Sequence, residues 1–183
     1  EGNDLVSRRN TKDNNLARRI AEEAIAMCPE VPMAYLLMAN VHHFDYWLGS
    51  TKSPRESIEK GIKMVQKALA LDDTLAEAHG LLGTLYTNKR EYEKGIAEGE
   101  RAMALSPSSA AALYFYALSL NYAGRCEEAI PLLQKAIRLD PYGPSASYFY
   151  LGAALFLTGR FEEAVSAYKK ALQRAPNNMA TRL

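Results

Sequence analysis

Ala102-Met103-Ala104-Leu105-Ser106-Pro107, Ala136-Ile137-Arg138-Leu139-Asp140-Pro141 and Ala171-Leu172-Gln173-Arg174-Ala175-Pro176 are one phrase written three times, the first two prolines 34 residues apart and the last two 35. A fixed period of this length makes each copy a supersecondary unit that must bury its apolar face against its neighbours. Counting back from each proline, small residues recur at helical spacing: Gly95, Gly99 and Ala102, then Ala129 and Ala136, then Ala164 and Ala171. A second helical run precedes each of these, so every copy holds two helices, and Pro ends the second one.

Read by position, the copies resemble the tetratricopeptide family. Its pattern asks for a bulky residue, Leu-Gly and Tyr on a first helix, then Ala, an aromatic, Ala and Pro on a second. The first copy supplies His79, Leu82-Gly83, Tyr86, Gly95, Gly99, Ala102 and Pro107, and the second Leu113, Tyr116-Ala117, Leu120, Ala129, Leu133, Ala136 and Pro141. The third fits best, with Tyr148, Leu151-Gly152, Leu155, Ala164, Tyr168, Ala171 and Pro176. The resemblance implies an all-α fold, a right-handed α-solenoid of antiparallel helix pairs in the manner of a TPR superhelix. It also implies a non-catalytic scaffold that binds a protein or peptide and needs no cofactor.

The whole chain reads as a single array. A partial repeat covers residues 1–31, a repeat with an insertion 32–75, and regular repeats 76–109, 110–144 and 145–178. Residues 179–183 start a further helix. Glu1 to Asn15 reads as a loop or a frayed helix, and Leu16 to Cys28 as a second helix closed by Pro29. Because the first residue is Glu and not Met, we expect a piece of a longer protein.

In the second unit Tyr35, Met38-Ala39, His42, Gly61, Val65 and Ala68 take the pattern positions, but about ten extra residues, Phe44 to Ser53, intervene. Ser53-Pro54-Arg55-Glu56 reads as a capping box with Pro in the first turn. The insertion carries the only Trp, Trp47. It either plugs one end of the groove or forms an external contact surface, and a lone Trp is more often buried.

Two details support a narrower resemblance. Thr11-Lys12-Asp13-Asn14-Asn15-Leu16-Ala17-Arg18-Arg19 leads into Glu22-Glu23-Ala24-Ile25-Ala26, and the lengthened repeat holds Trp47, Ser50 and Ser53-Pro54 before Lys67-Ala68-Leu69-Ala70-Leu71-Asp72. Together they look like arrays that follow the catalytic domain of some bacterial class III adenylate cyclases and related regulatory proteins. That likeness implies a bacterial, cytoplasmic, regulatory or dimerising segment with its catalysis elsewhere, and possible self-association through the repeat ends.

Composition narrows the function classes. With 22 basic and 21 acidic residues the formal net charge is +1 and no basic run stands out, so nucleic acid is not an expected partner. The uncharged runs 102–124 and 141–159 cross repeat boundaries and contain Pro and Gly, so neither is expected to insert in a membrane. Cys28 and Cys126 are far apart, which fits a reducing compartment and not a disulfide framework. His42 and His79 fall at packing positions, no ligand set accompanies them, and no metal is expected. Gly80, Gly83, Gly95 and Gly99 are spaced as helix contacts, without the Gly-Lys-Ser/Thr of a phosphate loop.

The resemblance implies that first helices line the concave side and point their second, fifth, ninth and twelfth to thirteenth residues into it. That stripe contains Leu36, Asn40 and His43, then Thr84, Thr87 and Asn88, then Tyr114, Leu118, Asn121 and Tyr122, then Phe149 and Phe156. Lys and Arg are absent from it, so the tail of a chaperone, held in this family by basic residues, is not an expected ligand. Aromatic faces and amides suit a peptide or helix low in acidic charge.

Overall fold

A computed structural model describes residues 11–143 and 145–174 of the 183. Among the described residues the chain forms nine helices and no strand. They are α1 Thr11–Met27, α2 Pro32–Trp47, α3 Pro54–Leu71, α4 Ala76–Asn88, α5 Tyr92–Leu105, α6 Ala110–Tyr122, α7 Cys126–Leu139, α8 Ser145–Leu157 and α9 Phe161–Arg174. Each helix packs on the next, and the first helices of the pairs, α2, α4, α6 and α8, also touch in succession. The result is an α-solenoid of four helix pairs preceded by α1. Pro176 and the expected further helix lie outside the described residues.

The buried side chains fall into three clusters along the array. Ala17 and Ala21 of α1 meet Leu37, Met38 and Val41 of α2. Leu36, Val65, Leu82 and Leu85 join α2, α3 and α4, and Ile96, Leu120, Leu133 and Leu155 bind α5 through α8. Burial therefore runs from neighbour to neighbour, as a repeated unit requires.

The first helices end alike. Glu91, Arg125 and Arg160 donate their backbone N–H to the carbonyls of Tyr86, Leu120 and Leu155 at 2.9, 2.9 and 2.8 Å, and Ser50 does the same to Asp45 at 3.1 Å. This bond closes over one residue in the left-handed region, which is Gly49 (φ 61°), Gly124 (81°) and Gly159 (79°) but Arg90 (66°) in the second pair. A side chain at that φ is strained by about 1–2 kcal/mol, while glycine forfeits about 0.5–1 kcal/mol through its freer unfolded chain. Arg90→Gly is therefore expected to raise stability by about 0.5–1 kcal/mol. Urea denaturation followed by circular dichroism checks it, and a lower midpoint would refute the reading.

Three expectations are corrected. Residues 11–15 are neither loop nor frayed end but the first turn of α1, because Asn14 is buried and its Nδ2 donates to Val41 O (3.2 Å) and Asp45 Oδ1 (2.9 Å). The insertion is shared between helix and loop: of Phe44 to Ser53 only Phe44 to Trp47 are helical, and the flanking helices are longer than their counterparts, α2 with 16 residues where α4, α6 and α8 have 13, and α3 with 18 where α5, α7 and α9 have 14. The hairpin is thus about a turn taller at its tip, and Trp47 stands there half exposed at 50%, its Nε1 donating to His43 Nε2 at 2.8 Å. The capping box does not form. The Ser53 hydroxyl caps nothing, its N–H donates to Thr51 Oγ1 at 3.2 Å, and Glu56 pairs with Lys60 at 2.7 Å instead.

Candidate functional site

The twelve stripe residues divide by burial. Leu36, Thr84, Thr87 and Leu118 are between 1% and 4% exposed, so they are packing residues and offer no surface to a ligand. The cause lies on α4. Gly80 has no side chain, and a Cβ there would sit 2.8 Å from the Phe115 ring of α6. The two first helices consequently approach until Thr87 Oγ1 meets Ser119 Oγ at 3.0 Å while also bonding Gly83 O at 2.8 Å; Thr84 Oγ1 bonds Gly80 O at 3.1 Å. Both hydroxyls are satisfied inside the protein, leaving none to offer outward.

Asn40 is half-buried and its Nδ2 returns to Leu36 O at 3.2 Å on the same helix. His43 is bound up with Trp47. Phe149 is half-buried between Tyr150 and Tyr168, with ring centroids 5.4 and 5.7 Å away. Phe156 is 56% exposed and lies against Phe161 of α9, toward the end of the array.

The remaining stripe residues of α6 come together on α8. Tyr114 and Tyr122 flank Tyr150 with centroids 6.0 and 6.1 Å away, the Tyr122 and Tyr150 hydroxyls are 3.4 Å apart, and Asn121 Nδ2 donates to Tyr150 O at 3.1 Å. The result is a wall of three tilted rings carrying hydroxyls, and Tyr122 is 44% exposed upon it. Tyr150 was missed in the stripe. The available signal was that Phe115 and Tyr150 occupy the same position in consecutive repeats.

Two amide atoms of the stripe are buried without a partner inside the protein: Asn88 Nδ2, a donor, and Asn121 Oδ1, an acceptor. Such a group forfeits about 1–3 kcal/mol until something pairs with it. Both atoms are covered by the protein, so in this arrangement neither meets a ligand. The wall can therefore supply apolar ring contact and hydroxyl exchange, but no charge.

Charge gathers elsewhere. Arg18 Nη2 pairs with Asp45 Oδ2, and His42 Nδ1 stands 3.8 Å from the same oxygen. Burial pushes the Asp45 carboxyl up, but hydrogen bonds from His42 and Arg18, with their charges, outweigh it and hold the group below its ordinary value. The cluster fastens α1 to α2. Among the described residues no three His, Cys, Asp or Glu side chains converge as metal ligands. Nor is any described helix long and apolar enough to cross a membrane. Cys126 is buried and Cys28 exposed, and both are free thiols.

Comparison with known proteins follows the same lines. A family model described as tetratricopeptide repeat matches residues 81–144 and again 117–178, together more than half of the chain. Among solved structures, MamA is 26% identical with a TM-score of 0.61, the match covering 93% of each chain. A thermophilic TPR protein of Thermus thermophilus, TTC0263, is 17% identical with a TM-score of 0.74, covering all of this chain and 95% of that one. YrrB, described as a TPR protein with an unusual peptide-binding site, is 22% identical with a TM-score of 0.58, covering 88% of this chain and 77% of its own. No curated protein sequence matches the chain.

Proposed function

We propose, from the premise that this chain belongs to the tetratricopeptide repeat family, that it is a non-catalytic scaffold whose inner side holds an extended or helical peptide low in acidic charge against α4, α6 and α8. One observation carries the reading: Tyr114, Tyr122 and Tyr150 form an uncharged aromatic wall across two successive repeats, and Tyr122 is 44% exposed upon it. Rings contribute apolar area at small entropic cost, and their hydroxyls pair with a peptide backbone. A scaffold of this kind accords with a regulatory segment of a larger bacterial cytoplasmic protein. The opening and the lengthened repeat, alike to arrays beside class III adenylate cyclases, support that setting.

The test is selection of peptides from a displayed random library on the immobilised chain, followed by titration of the selected peptides. Micromolar binding that weakens at least tenfold, about 1.4 kcal/mol or more, in a Tyr122→Ala variant is the expected outcome. Affinity unchanged in that variant, with its circular dichroism spectrum intact, would reject the groove.

A further inference from the structure

Val165 of α9 stands where the three preceding repeats carry Ile62, Ile96 and Ile130. Those isoleucines are 8%, 4% and 4% exposed, each sealed in the core beneath the repeat that follows, whereas Val165 is 51% exposed. Phe161 and Leu172 share its helix face, at 54% and 41%, and Phe156 extends the patch by stacking edge-on against Phe161 with centroids 5.5 Å apart. Contiguous apolar surface of this kind marks a contact and not a solvated face.

The charges beside the stripe indicate what makes that contact. Glu162 and Lys169 are both exposed, and neither has an ion-pair partner among the described residues; the pair at this end of α9 is Arg160–Glu163, at 2.8 Å. The point midway between Val165 and Ser166 lies about 3.5 residues, roughly 5 Å along the axis, from each of them. A second α9 laid antiparallel about a two-fold axis through that point sets Glu162 of each copy opposite Lys169 of the other. Phe161 and Leu172 then interdigitate with an offset of about 3 Å. A parallel second helix in register would instead oppose like charges.

We propose that this face of α9 is self-complementary and joins two copies of the chain in an antiparallel, two-fold pair. The pairing does not draw on the tyrosine wall of α6 and α8; of the stripe residues, Phe156 borders this face. Glu162 and Lys169 set the direction of pairing, while Phe161, Val165 and Leu172 supply the buried area.

Sedimentation equilibrium of the full chain from about 1 to 200 μM reads it directly. A small interface of this kind is expected to dissociate with a Kd of about 1–100 μM. Val165→Glu is expected to weaken the pair at least tenfold. Glu162→Lys and Lys169→Glu alone should each weaken it severalfold, and the double exchange should return it to within about twofold of the parent, because the two repulsions become attractions. These positions are exposed, so circular dichroism and the denaturation midpoint should stay unchanged. A monomer at every concentration overturns the proposal, and so does a dimer indifferent to Val165→Glu or a double exchange that recovers nothing. A face covered by residues 175–183, or by a different protein, gives the monomer.

Discussion

Leu120→Ala is expected to lower the stability of the chain by about 2–5 kcal/mol, a large share of what a domain of this size possesses. Leu120 is 0% exposed and belongs to the cluster that holds Ile96 of α5, Leu133 of α7 and Leu155 of α8. Shortening it removes apolar contact and leaves a cavity whose walls come from several repeats, so no single helix can collapse to fill it. In a compact globule the loss would weaken the whole uniformly. In an array it also weakens the coupling between the units on either side, and the unfolding transition should broaden as the two halves begin to melt separately. The control is Leu139→Ala, at the end of α7 and 44% exposed, which should change stability by less than about 0.5 kcal/mol. Urea titrations followed by circular dichroism distinguish these cases. Equal midpoints for the two variants would mean that the continuous burial described here is wrong.

Much of the fold was legible because the repeat writes its own boundaries. The prolines at 107 and 141, with the small residues before them, announce the ends of α5 and α7, and α4, α6 and α8 begin at Ala76, Ala110 and Ser145, at the repeat boundaries. What escaped depends on contacts between units. The start of α1 is settled by Asn14 bonding Val41 and Asp45, which are 27 and 31 residues away. The insertion could not be divided between two longer helices and a loop, because extra residues in one repeat look alike wherever they are added. Thr84 and Thr87 read as groove residues from the positions that the family resemblance assigns to the concave side. Their burial follows from Gly80 admitting Phe115 from the next repeat, a relation that no single repeat displays. Tyr150 was overlooked for the same reason: its partners Tyr114 and Tyr122 lie on α6.

Gly99→Leu separates repeat pattern from structure, since the two give opposite answers. By pattern the substitution should help: the second and third copies carry Leu133 and Tyr168 at this position, and leucine in a helix interior gains about 0.8 kcal/mol over glycine. In the structure the space is taken. A Cβ at Gly99 would lie 2.8 Å from both Cα and Cδ2 of Tyr116 and 3.0 Å from its Cβ. The ring could turn aside, but the backbone of α6 cannot yield without shifting the helix. Tyr116 is itself 9% exposed and tied by its hydroxyl to Glu100 Oε1 at 3.0 Å. The aromatic bulk that the pattern asks of α5 is thus delivered from the following repeat, and Gly99 is the vacancy that receives it. Overpacking of this kind opposes folding by about 1–3 kcal/mol or more, so a net loss of about 2 kcal/mol is expected. Gly152→Ala is the milder comparison, because the three atoms nearest its Cβ, from 2.9 Å, all belong to the Tyr168 ring, and a ring can move. A Gly99→Leu chain as stable as the parent would show that α5 and α6 do not approach as closely as described.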